Sequence, residues 1–223
     1  MPTSQSVEYL EDMLAREISW RKKEIVAFRS AADRSSSSKG YYCRAGSVML
    51  CAHWEGFLKA AVQFYVDHVF SQSLQLDELV PPFVAIYFYK EVMGAGAAKF
   101  PGTEERHIKL ARKILASASA SCNRPGWKVD TEGNPSSLVT CNILASVGLD
   151  RLMGLDESGW MIQKVFIDSQ LLKDRHRVAH GERYPIRGED FRERSNRIIA
   201  MCESLLKLIV DAANSRSYRA TIG

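Results

Sequence analysis

The sequence predicts an all-α fold, a single helical bundle of about six helices with one long inter-helix loop. Two observations carry this expectation. Apolar residues recur at three- to four-residue multiples through most long segments, the period of one helix face. Period-two alternation is scarce, and no Asn-Gly or Asp-Gly turn separates apolar runs, so strand and hairpin signals are missing. The chain has 223 residues, 46% hydrophobic and 25% charged, which is enough to bury a core without staples and excludes wholesale disorder. Fourteen Gly and seven Pro exclude a collagen-like or low-complexity chain. One helical domain is expected over 1–223, its core segments at 42–70 and 138–213, with a loop insertion at 121–137.

The first helix is expected over Val7–Ala32, where Leu10, Leu14, Ile18, Ile25 and Phe28 recur on one side. Arg21-Lys22-Lys23 reads as its solvated basic face. Ser35–Ser38 with Lys39-Gly40 is a break. A second long helix, Tyr42–Phe70, holds Trp54 and Phe57 as core residues and Glu55–Lys59 as a supporting pair four apart. Gly56 in its middle costs about 1 kcal/mol against Ala and points to a closely packed neighbour. Pro81-Pro82 opens a short helix, Phe83–Met93, followed by the Gly/Ala stretch Gly94–Ala98. Thr103-Glu104-Glu105 begins the next, to about Ala118, with acidic residues where the helix dipole favours them. Ser121–Ser137 carries two Pro, two Gly and two Asn and reads as a loop. Leu138–Val147 is a short helix stopped by Gly148, and another runs from Ser158 through the segment around Arg175. The last, Asp190–Ala213, shows Phe191, Ile198, Cys202, Leu205, Leu206 and Ile209 on one stripe.

The start, Met1 to Gln5, does not look like a signal peptide, and no apolar run approaches a membrane span, so no membrane association is expected. Five cysteines, Cys43, Cys51, Cys122, Cys141 and Cys202, are odd in number and contain no C-x-x-C pair. That argues against a disulfide framework and for a reducing, cytoplasmic setting. No phosphate-binding glycine loop, dinucleotide fingerprint or nucleophile elbow is present. The net charge of +4 permits an acidic partner without demanding one.

Chemistry concentrates in Leu171–Glu182. His176 and His180 are four apart and share a helix face. One reading is a metal site, since two such imidazoles can reach one zinc ion. Against it, Arg177 stands where a metalloprotease has Glu, and Arg175 and Arg177 put positive charge beside the cation; no metal ligand and no cofactor is assigned. The other reading is metal-free phosphate chemistry. Arg175 holds a phosphate bidentately at any working pH, and His180 moves a proton near neutrality. Lys173–Arg197 holds eight Lys/Arg against five Asp/Glu, most of the chain's positive surplus. Arg177, Arg183 and Arg187 there can steer RNA toward the site. A structural reading stands beside these: Arg175 paired with Glu182 or Asp174, and His180 ending a helix capped at Gly181.

Arg175, His176 and His180, followed by Gly181-Glu182, resemble the signature of the HEPN superfamily, an Arg, four to six residues and then a His, often with Asn, Asp or His directly after the Arg. Ala52-His53-Trp54-Glu55-Gly56-Phe57-Leu58-Lys59 is similar to a helix of the stand-alone bacterial MAE-like HEPN proteins, and Asn142–Asp150 to that group's segment before the signature. The resemblance implies a helical bundle that pairs with a second copy, forming a composite cleft from two signatures. It implies a metal-independent endoribonuclease leaving a 2′,3′-cyclic phosphate, working as a toxin or antiviral defence effector with an antitoxin or defence-system partner. By position, His180 is then the acid/base group, Arg175 the phosphate-holding cation and His176 an orienting group. A non-catalytic module that binds RNA or nucleotide, or serves dimerisation, is the alternative. HEPN toxins silenced by tyrosine adenylylation carry Tyr two residues after the His; Glu182 is there instead, and the nearest Tyr is Tyr184.

Overall fold

A computed structural model describes residues 4–35, 39–97, 105–117, 122 and 124–220. The chain is all-α. In order come α1 (Val7–Arg34), α2 (Lys39–Ser71), a 3-10 turn (Leu76–Glu78), α3 (Pro81–Tyr87), α4 (Tyr89–Gly96), α5 (Glu105–Ser117) and α6 (Ser137–Ser146). Then follow α7 (Glu157–Phe166), a π turn (Ile167–Leu171), α8 (Leu172–Ala179) and α9 (Gly188–Asn214). Among the described residues there is no strand, only an isolated antiparallel bridge between Leu79 and Arg219.

Local chemistry accounts for most boundaries. Ser6, Ser136 and Asp156 accept from Tyr9, Val139 and Gly159 backbone N–H and so cap α1, α6 and α7, satisfying donors that have no partner inside the helix. Pro81 and Pro82 occupy the first positions of α3, where a missing N–H costs nothing. The helix expected over Phe83–Met93 is instead two, separated at Phe88, whose ψ of 3° leaves the helical region. The second continues through Gly94 to Gly96, because Gly and Ala in a row do not by themselves stop a helix. Gly148, at φ +70°, ends α6 in the left-handed conformation that glycine adopts without a side-chain penalty. Ser36–Ser38 of the expected break, Ala98, Thr103 and Glu104, Ala118, and Ser121 and Asn123 of the expected loop lie outside the described residues, as do Met1–Thr3. The remainder of 124–136 has no helix, as its composition predicted.

The core is the junction of α1, α2 and α9, with α8 laid against α2. α1 contributes Leu10, Leu14, Ile18 and Ile25, and α9 contributes Phe191, Ile198, Cys202, Leu205 and Ile209, all buried; Leu206 is half-buried at the stripe's edge. α2 differs in kind. Trp54, Phe57, Leu58, Ala61 and Val62 are fully buried, and buried residues fall on most sides of its axis, so it is the central rod. Two glycines fit it to its neighbours. A Cβ at Gly46 would run into the Phe191 ring, and one at Gly56 would lie 2.7 Å from Arg21 Nη2.

Arg21 corrects the expectation of a solvated basic face on α1. Only 6% of it is exposed. Its guanidinium lies over Gly56, donates to the carbonyls of His53 (3.2 Å) and Glu17, and pairs with the Glu17 carboxylate at 2.9 Å. A buried guanidinium is tolerable only when its donors are used in this way. Lys22, by contrast, reaches outward to Glu203.

All five cysteines are free and buried; burial pushes Cys51 and Cys122 up to about 11 and Cys202 up to about 12. They act as small apolar core residues. No helix among the described residues is long and apolar enough to cross a membrane.

Two outcomes follow from the core. Gly46→Ala should lose about 1–3 kcal/mol of unfolding free energy in urea, because the Phe191 ring must leave its rotamer. Gly94→Ala, with open space at its Cβ, should be neutral or gain up to about 1 kcal/mol. The second concerns His68, whose two ring nitrogens are buried without hydrogen-bond partners among the described residues. Burial lowers its pKa, so the unfolded chain takes up a proton near pH 6.5 before the folded chain does. Stability is therefore full above about pH 6.5 and falls as pH drops below it toward the lowered folded value. His53 acts in the same direction, through burial and the Arg21 charge, against Glu24. The drop in Tm between about pH 7.5 and about pH 5.5 should shrink in His68→Phe.

Candidate active site

The signature histidines end a continuous helical rod made of α7, the π turn and α8, since Phe166, Ile167 and Leu171 all keep helical dihedrals at the junctions. Phe166, Ile167, Leu171 and Asp174 are buried on its inner side. The outer side is wet at Met161, Val165, Ser169, Lys173, His176 and His180, spaced three or four residues apart. Steps of four overshoot the 3.6-residue period, and the wider π turn absorbs part of the drift. The π turn is also tethered: Asp168 accepts from the backbone N–H of Ser137 (2.9 Å) and from its hydroxyl (2.6 Å), tying the start of α6 to the rod.

Asp174 holds α8 to α9. It is 1% exposed and its carboxylate pairs with the largely buried Arg194 guanidinium. Burial raises the Asp174 pKa, and the Arg194 charge and hydrogen bond oppose that rise. This pair fixes the rotation of α8 about its axis and hence the direction of the two residues on either side.

The rod stops in a Schellman motif. Gly181 takes φ +77°; its N–H donates to Val178 O (3.1 Å), and the Glu182 N–H donates to Arg177 O (3.0 Å). His180 is thus the helix C-cap, one residue before the position the sequence marked as the cap, and its own N–H still bonds His176 O at 3.0 Å. One turn apart, the His176 and His180 rings lie 4.3 Å centroid to centroid, tilted by 54°, both exposed.

Arg175 sits half-buried between α8 and α2, where its charge acts on Cys51 and Glu55. It makes no hydrogen bond or ion pair among the described residues. The salt bridges imagined for it belong to neighbours: Asp174 pairs with Arg194, and Glu182 lies 3.6 Å from Arg177. Arg177 also stacks over the Tyr184 ring at 4.5 Å, so the site's nearest tyrosine is covered by a guanidinium. Arg183 and Arg187 are exposed, and Arg187 pairs with Glu189 at 3.2 Å. Of the three arginines expected to steer RNA, only Arg183 has no carboxylate partner among the described residues.

Glu55 is the neighbour the sequence read only as a helix-surface partner of Lys59. That pair exists, at 2.7 Å, but Glu55 Oε1 also accepts from the Thr131 hydroxyl at 2.6 Å. Burial raises its pKa, yet the Lys59 and Thr131 hydrogen bonds and the Lys59 and Arg175 charges outweigh this and hold it below the usual range. Thr131 is fully buried, so the long loop packs onto α2 beside the signature. No local signal in the sequence marked this, since the Thr131 hydroxyl comes from a loop 76 residues away.

Among the described residues, no three His, Cys, Asp or Glu side chains gather so as to hold a metal ion. What the arrangement offers is a fixed cation with no carboxylate tied to it and two imidazoles reaching solvent within one turn, the groups that bind a phosphate and move a proton. Removing Asp174 should test how the helix is held. Asp174→Ala leaves Arg194 buried and unpaired and should cost about 3–5 kcal/mol in urea unfolding. An Asp174→Leu/Arg194→Met double variant should recover most of that loss.

No curated protein and no solved structure matches the chain. A family model described as RiboL-PSP-HEPN matches residues 16–211, from the middle of α1 to the last turns of α9. HEPN domains as a group are associated with ribonuclease activity or RNA binding. With the match covering most of the chain and the Arg175–His176–His180 set inside it, the chain belongs to the RiboL-PSP-HEPN family of the HEPN superfamily.

Proposed function

We propose that this protein is a metal-independent endoribonuclease. The observation that carries the reading is the last turn of α8, where the His176 and His180 rings lie 4.3 Å apart and open to solvent and Arg175, half-buried toward α2, makes no hydrogen bond or ion pair among the described residues. In the proposed reaction a base removes the proton from a ribose 2′-hydroxyl, and the 2′-oxygen attacks the adjacent phosphorus. The bond from phosphorus to the 5′-oxygen breaks, and the leaving oxygen takes a proton. The products are a 2′,3′-cyclic phosphate and a 5′-hydroxyl. His180 is the acid/base group. Arg175 binds the phosphate and stabilises the charge that builds on its oxygens. His176 orients the phosphate or His180.

One His180 cannot be base and acid at the same instant, and a second copy supplies the other. Support for pairing comes from the outer side of the rod, where Met161 and Val165 expose apolar surface in line with His176 and His180 and Ile162 next to Met161 is exposed as well. Two rods meeting on this side bury that surface and face their signatures toward one another. The cell-level role that fits is a toxin or antiviral defence effector acting in the cytoplasm, held in check by an antitoxin or defence-system partner.

RNA incubated with the purified protein in EDTA should be cut to fragments with cyclic-phosphate ends. Arg175→Ala and His180→Ala should each lower the rate by about 10²–10⁴-fold while the far-UV circular dichroism stays unchanged. Binding without cleavage by a folded dimer would favour a non-catalytic RNA-binding module. Cleavage that survives both substitutions would sink the assignment of these residues.

A further inference from the structure

Beyond Gly181, the chain that leaves the signature lines a cavity of about 410 Å³ against the first turn of α2. Tyr41, Arg44, Arg183, Tyr184, Pro185 and Ile186 surround it, with no carboxylate among them. Tyr41 is 73% exposed, the most exposed aromatic among the described residues, so nothing in the fold of one chain accounts for its ring. Arg183 makes no hydrogen bond or ion pair among the described residues. Arg44 donates from Nη2 to the Glu182 carbonyl at 2.6 Å, while its Nε is buried without a partner. Glu182, the residue before Arg183, is engaged by Arg177. The cavity thus combines a free aromatic face, apolar walls and uncompensated guanidinium charge. An unpaired nucleobase with its phosphate has the complementary chemistry: a flat π surface and a monoanion.

We propose that this cavity is a base-binding subsite for single-stranded RNA, flanking the phosphodiester held at the signature. The Tyr41 ring is the stacking face and Arg183 the phosphate contact. Arg183 follows His180 by three residues, within ~10 Å along the chain, so the base seated there belongs to a nucleotide next to the one cleaved or one beyond it. Tyr184 is unavailable for stacking on the face that Arg177 covers, which leaves Tyr41 as the ring that reads the base. Arg44 serves as a brace: it joins the first turns of α2 to the Schellman turn, and so sets the distance between the cavity and His180. The subsite gives the enzyme an unpaired-strand requirement at one defined position. It rests on the RNA reading above.

The test uses full-length protein carrying His180→Ala, so that RNA is bound but not cut. A six-nucleotide single-stranded RNA with one 2-aminopurine, placed at each position in turn, is titrated at two salt concentrations. One placement should show a fluorescence change on binding. Adding Tyr41→Ala should abolish that change and weaken binding by roughly 5- to 150-fold, the range for loss of one base–aromatic stack. Tyr41→Phe should keep both. Arg183→Ala should reduce the slope of log affinity against log salt by about one, and Tyr41→Ala should leave the slope alone. RNA binding and fluorescence unchanged in Tyr41→Ala would overturn the subsite and leave the RNA reading standing. No binding or cleavage of any RNA by the unsubstituted chain would overturn the RNA reading and the subsite together. If Tyr41→Ala instead converts a dimer to a monomer in sedimentation, the cavity is covered by a second copy and the subsite is overturned.

Discussion

α2 has to be buried on most of its circumference, and the other helices take their places from that requirement. A helix with one wet face can be covered by one or two partners. One carrying Leu50, Trp54, Phe57, Leu58, Ala61, Val62, Tyr65 and Val69 needs them on several sides, and α1, α9, α8 and α6 supply them. Such a rod must also be thin where partners cross it closely, and Gly46 and Gly56 provide that clearance for Phe191 and Arg21. On another part of its surface α2 packs against α8, which puts Glu55 within electrostatic reach of Arg175. Core packing and the chemistry of the site are thus two consequences of one helix being central.

Polar groups inside the bundle set rotation and register where apolar contacts alone would let helices slide. Arg21 bridges α1 to the α2 backbone at His53, Asp174 joins α8 to α9 through Arg194, and Asp168 joins the π turn to the start of α6 through Ser137. Arg21 and Asp174 are buried and Asp168 half-buried, a cost that their partners offset, so each link penalises any arrangement that separates them. Two of these links, at Asp168 and Asp174, come just before the signature in sequence. They hold the inner side of the rod, and by doing so they present its outer side, with His176 and His180, to solvent.

Electrostatics around the signature are less open than the local surplus of arginine implies. Arg177 is spent on Glu182 and Tyr184, Arg187 on Glu189, and Arg194 on Asp174. Among the described residues the cations left here without a carboxylate tied to them are Lys173, on the wet side of the rod, Arg175, facing α2, and Arg183, facing the cavity beside Tyr41. A polyanion approaching this end therefore meets a few separated cations rather than a diffuse basic patch, and the Schellman turn separates Arg183 from Lys173 and Arg175.

The sequence by itself determined the all-α class and most helix boundaries, and it singled out Arg175, His176 and His180 as candidates. Periodicity, Ser and Asp caps, paired prolines and Gly148 and Gly181 are local signals that act over a few residues. It also marked Gly56 as a place of close approach. Only the tertiary structure decided what approaches it. Arg21 sits among lysines and reads as solvated, and nothing local says that its guanidinium turns inward to a backbone carbonyl 32 residues away. The same holds for the break at Phe88 and for the choice between Arg175 and Arg194 as the partner of Asp174. Such a choice depends on which helices touch and at what rotation, a property of contacts distant in sequence.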